Sequence, residues 1–212
     1  MTRQEFMERH WRFYSMLEDK FTNTLQYVEL DERNFQTFSM EFVSQIREIG
    51  SEIDVVLKEL LGYAQDDRKN IADYIKGIEE TYPDMFQRKI MTQKLTIIPF
   101  DNLNKEKPSE LLWWKAYNDV KHGRVLNFKE ANLQNTLLLL ATLYLFEMYL
   151  LKKSIKENES DIVEKDSGLF RILDWKTKYM PLNRMFAKIE DETPGFYTEQ
   201  IKVVERSEVY EE

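Results

Sequence analysis

The sequence predicts an all-α protein: an up-and-down bundle of about five helices, with a small β-like excursion and an irregular C-terminal region. Three observations carry this expectation. Apolar residues recur at spacings of three and four over long stretches, which gives each helix one apolar face. The 212 residues include only 6 Gly and 5 Pro, too few for turn-dense β architecture. Hydrophobic residues at 42% and aromatics at 13% supply the core of a large domain.

The first helix is predicted over Thr2 to Leu30, with Met7, Trp11, Tyr14, Leu17, Phe21, Leu25 and Val28 on one stripe. Asp31 is the expected N-cap of the second, with Leu30 and Phe35 as its hydrophobic staple. That helix carries Phe35, Phe38, Phe42, Ile46, Ile49, Ile53, Val56 and Leu60 and ends at Gly62. The short link between them makes the two antiparallel neighbours. A shorter helix follows Asp67, carries Ile71, Tyr74, Ile75 and Ile78, and stops before Pro83. From Phe86 to Phe100 the helical period vanishes, and the β-formers between Lys89 and Pro99 suit a small hairpin or an extended excursion.

A fourth helix is expected from Ser109 to His122, closed by Gly123 in a left-handed cap. Asn127 with Glu130 marks the start of a fifth, Phe128 to Lys156, apolar almost all round and therefore central. Its most apolar run, Leu137 to Leu151, falls short of the roughly 20 residues a bilayer span needs, and it contains Glu147. A buried helix is expected, and no membrane partner. The charged start carries no apolar signal segment, and a chain without cysteine suits the cytoplasm. Residues 1–156 thus read as the bundle. Residues 157–212 read as a C-terminal extension with short strands, able to hold a protein partner.

Thirty Lys+Arg face 38 Asp+Glu, a net charge of −8. Nucleic-acid binders draw most of their non-specific affinity from a basic face, so any such activity here needs a local cationic site. The lack of cysteine excludes disulfide frameworks, thiolate zinc sites and thiol nucleophiles. With His10 and His122 the only histidines, a multi-histidine metal centre is not expected, and no metal or cofactor is assigned. Glycine-rich phosphate loops and HExxH are absent.

The one constellation suited to chemistry lies between Trp113 and Arg124. On a helix, Lys115, Asn118 and His122 share a face, with Asp119 three residues before the histidine. Histidine can move a proton, while Lys121 and Arg124 can hold phosphate, and Tyr117 joins this substrate-binding set. The plainer reading makes His122 a cap on the last carbonyls, ties Asn118 to a neighbouring helix and buries Trp113 and Trp114. On the second helix Arg47, Glu48, Ser51, Glu52 and Asp54 interrupt the apolar stripe. A glutamate among them could bond His122 or Lys115, or the group could be a solvated face. His10 is assigned no role.

Tyr117–Asn–Asp–Val–Lys–His122, at a helix end and followed by a long apolar helix, resembles the motif region of the HEPN superfamily. The resemblance spans roughly Thr2 to Lys156. The family's pattern is an arginine, four to six intervening residues and a histidine; here Lys115 stands at the arginine's place, with six between. The resemblance implies a helical bundle, homodimers that bring two motif histidines together, and metal-independent RNA cleavage in toxin–antitoxin and phage-defence systems. His122 would then be general base or acid for attack of the RNA 2′-hydroxyl on the adjacent phosphate. Lys115, Lys121 and Arg124 would bind phosphate and Asn118 would orient the histidine. The rival expectation is a non-catalytic module for dimerisation or partner binding. A third is an inhibitor whose acidic surface imitates nucleic acid.

Overall fold

The computed structural model describes residues 1–155, 166–173, 175–177 and 189–191. Most of the expected C-terminal extension, residues 157–212, lies outside the described residues. The first rod combines α1 (Arg3–Phe6), a π-helical turn (Met7–Trp11) and α2 (Arg12–Thr24). It is followed by α3 (Met40–Leu61), α4 (Ile71–Thr81), α5 (Leu112–Gly123) and α6 (Leu133–Ser154). The protein is a helical bundle with a small antiparallel sheet at one side.

Local chemistry sets the starts. Thr2 and Glu5 form a capping box on α1, and Asn70 and Asp73 do the same for α4. The rod ends at Thr24, short of Leu30, and Asp31 caps only a 3₁₀ turn, Glu32–Asn34. Ser39 is the cap of α3 and Asn132 the cap of α6, in place of Asp31 and Asn127. Tertiary pairing selects these later caps. Phe38 bridges Asn132, Ser39 N–H donates to Ala131 O and Leu133 N–H donates to Thr37 O, so the two entry loops lie side by side. At the other end Lys153 Nζ donates to Glu59 O and Leu60 O at 2.9 Å each. Helices α3 and α6 therefore run parallel.

Gly62 closes α3 in the left-handed region, at φ 75°. Gly123 does not do this for α5. It remains helical, and the side chain of Asn127 lies over it and donates to Asp119 O.

The rod lies antiparallel to α3, since Lys20 meets Glu48 while His10 meets Glu52. Helix α6 is fully wrapped: it is long and apolar enough to cross a membrane, yet most of it is buried in the bundle. The hairpin expected near Lys89 is present as β1 (Ile90–Met91) and β2 (Thr96–Ile97). Beyond the bundle, β3 (Arg171–Ile172) adds to the free edge of β1, Ile90 facing Ile172. The further pair β4 (Trp175–Thr177) and β5 (Ile189–Asp191) is antiparallel. Phe170, Ile172 and Trp175 are buried in the same core as the helices.

Two polar networks fasten this sheet. Buried Glu18 accepts from Tyr14 Oη, from Ser167 Oγ at 2.6 Å and from Gly168 N–H at 2.7 Å. Buried Arg88 pairs with Asp84 at 2.6 Å and donates to Tyr149 Oη at 2.9 Å, with its guanidinium over the Trp175 ring.

Candidate functional site

A pocket of about 540 Å³ opens between α2, α3 and α5. Successive turns of α3 line it through Ser44, Arg47, Glu48, Ser51 and Glu52; Phe13 comes from α2, Tyr117 and Lys121 from α5. Residues three and four apart share a helix face, so the polar interruptions in the α3 stripe form one wall. Arg47, Glu48, Ser51 and Glu52 line the pocket with α5, with Arg47 and Ser51 exposed in it, while Asp54 turns to α4 and accepts from Tyr74 Oη.

Gly50 sets the depth of the cleft. A Cβ there would lie 2.1 Å from the Tyr117 ring, so the two helices can approach only because the side chain is missing. Gly50→Ala is therefore expected to displace Tyr117. Overpacking costs about 1–3 kcal/mol, against the roughly 1 kcal/mol that Ala gains as a helix former. A net loss in a denaturant melt is expected, and unchanged or raised stability would show that the ring has room to move.

The charges in the pocket are unevenly matched. Glu48 is bonded to Lys20 at 2.8 Å and to Ser44 at 2.8 Å. Burial raises its pKa, but the bonds from Lys20 and Ser44 outweigh that and leave it lowered. Burial pushes the Glu52 carboxyl up to about 7. Lys121 lies over the Tyr117 ring at 5.0 Å, and Arg47 makes no ion pair among the described residues. At neutral pH the pocket thus offers two cations, with one carboxylate already engaged and the other partly protonated. That balance suits an anionic group such as phosphate.

Helix α5 divides the expected site between two faces. Tyr117 and Lys121, four apart, enter the pocket. Lys115, Asn118 and His122 lie around the helix from them. Lys115 binds Asp119 at 2.7 Å, which raises its pKa, and Asn118 Nδ2 donates to Trp114 O of its own helix. His122 is exposed at the end of α5, capping none of its carbonyls, and Arg124 is exposed beside it. Trp113 is buried against Phe100 and Phe146, the core role given to it above.

Beneath the pocket lies a group that sequence reasoning passed over. His10, Glu52 and Glu147 offer donor atoms that all fall within 4.8 Å of one another. Glu147 was visible as the lone acid in an apolar run; nothing in the sequence linked it to His10. Comparison with family models, curated proteins and solved structures finds no match for the chain.

Proposed function

We propose that the protein is a HEPN-like, metal-independent endoribonuclease of a bacterial or phage conflict system, acting in the cytoplasm as a homodimer. The observation that carries the reading is the α3–α5 pocket, lined by Arg47 and Lys121, with exposed His122 following Lys121 in the chain. Arg47 supplies from α3 the guanidinium that the motif lacks at Lys115, and its planar fork can grip a phosphate in two places. His122 takes the 2′-hydroxyl proton as that oxygen attacks the adjacent phosphorus. The 5′-oxygen then leaves, taking the proton back from the His122 imidazolium, and the product is a 2′,3′-cyclic phosphate. Lys121, Arg47 and Arg124 hold the charge on the reacting phosphate.

Val125 and Leu126, each 87% exposed, flank the histidine turn. An apolar pair in that place supports a two-fold contact joining two His122 side chains, since such an interface repeats the same patch on both copies. The second reading is a non-catalytic dimerisation or partner-binding module. It draws support from Lys115 and Asn118, whose polar groups are engaged within their own helix.

Purified protein incubated with RNA and a chelator is expected to yield 2′,3′-cyclic phosphate ends. His122→Ala should cut the rate by about 10²–10⁴, the usual loss for a general acid–base group. Arg47→Ala should weaken RNA binding more than it slows the bound step. Cleavage unaffected by His122→Ala would overturn this mechanism. No cleavage of any RNA by an intact dimer would favour the second reading.

A further inference from the structure

The His10–Glu52–Glu147 cluster is a polar island in an apolar core. Each residue comes from a different element: His10 from the π-helical turn, Glu52 from α3 and Glu147 from α6. Glu147 is fully buried, and neither of its carboxyl oxygens has a hydrogen-bond partner. His10 is 6% exposed and its Nδ1 is likewise unpartnered, 3.9 Å from Glu52 Oε1. Orphaned buried polar atoms of this kind cost about 1–3 kcal/mol each, and more when charged. Protonating Glu147 removes its charge but leaves its oxygens and the imidazole nitrogen unsatisfied. A cation between the three side chains satisfies them together.

Local geometry supports a ligand here. The π-turn, in which Arg12 N–H reaches Met7 O, widens the rod where His10 enters the core. Such turns are uncommon and concentrate at functional sites. Metal–donor bonds near 2.1 Å place neighbouring donors about 3.0–3.4 Å apart, so rotamer shifts of about 1 Å would complete the contacts. Glu52 also lines the α3–α5 pocket, which provides an entry path from solvent. One imidazole and two carboxylates suit Zn²⁺, Mn²⁺ or Fe²⁺ rather than the all-oxygen shells of Ca²⁺ and Mg²⁺.

We propose that His10, Glu52 and Glu147 bind one divalent transition-metal ion inside the bundle. Three protein donors leave a coordination position for water, and the pocket makes that position reachable. The inference stands apart from RNA cleavage, because none of the three residues does chemistry in that scheme.

The test is titration of metal-stripped full-length protein with Zn²⁺ and Mn²⁺ by calorimetry, with bound metal counted by mass spectrometry. One ion per chain is expected, with a rise in Tm on loading. Glu147→Gln and His10→Ala should each weaken binding at least about 100-fold, while His122→Ala, at the other histidine, should leave it unchanged. Circular dichroism verifies the fold of each variant. Should a core variant not fold, Glu52→Gln on the pocket wall asks the same question. Absence of a stoichiometric ion, or equal binding by wild type and Glu147→Gln, overturns the proposal. Neither result depends on RNA, so the two readings fail separately.

Discussion

Asp84→Ala is expected to destabilise the fold by about 3 kcal/mol, near the lower end for breaking a buried ion pair because Asp84 is itself a quarter exposed. The loss has two sources. Arg88 is 3% exposed and would keep its charge in the core without this carboxylate. The Tyr149 hydroxyl, which donates to Asp84, would lose that acceptor. The same side chains hold Trp175, whose ring lies over Tyr149 at 5.3 Å and beneath Arg88. Chemical denaturation should show the loss, and tryptophan fluorescence should report Trp175 loosening. The double variant Asp84→Ala with Arg88→Met should be less damaging than the sum of the singles, since the two side chains are direct partners and their losses overlap. A loss below about 1 kcal/mol in the single variant would show that the pair contributes no more than an exposed bridge.

Metal-stripped protein is expected to lose stability as pH rises from 5 to 8, opposite to the ordinary acid limb. Burial lifts Glu52 from the usual carboxylate range to about 7, and burial together with Glu52 lifts Glu147 well above that range. Burial lowers the pKa of His10, which faces them from the rod. A carboxyl that keeps its proton longer when folded stabilises the native state below its unfolded pKa. The contribution is lost as pH climbs through the folded value, because the native state then binds more protons than the unfolded chain. For Glu52 the window runs from 4.5 to about 7, which corresponds to about 3 kcal/mol, with Glu147 adding in the same direction. Glu48, with its lowered pKa, acts at lower pH, whereas His10, whose pKa burial lowers from 6.5, opposes the two carboxyls within the window, one group against two. Urea melts at pH 5 and pH 8 in chelator measure the difference. Equal or greater stability at pH 8 would contradict the burial argument.

The helices were legible because a 3.6-residue period needs no knowledge of the partner. Ile46, Ile49, Ile53, Val56 and Leu60 announce α3, and all five are buried. Its start was not legible. Asp31 and Ser39 are both good caps, and the choice rests on strands of backbone from the α6 entry loop, nearly a hundred residues away. The site divides in a similar way. Lys121 and Tyr117 could be placed together on α5, but nothing local says that this face, rather than the His122 face, meets α3. His10, three residues after Met7 and four before Tyr14, falls on the apolar face by the 3.6-residue period and is buried there. Nothing local paired it with Glu52 or Glu147.

The bond between Glu18 and Gly168 joins residues 150 apart in the chain, and β3 reaches back to β1 over a similar scale. During synthesis all six helices emerge from the ribosome before Phe170, Ile172 and Trp175 do. At about 5–20 residues per second, the nascent bundle waits a second or more with an open apolar seam and an unpaired β1 edge. That interval is a window in which a chaperone, or a second nascent chain, can compete for the seam before its own strand arrives.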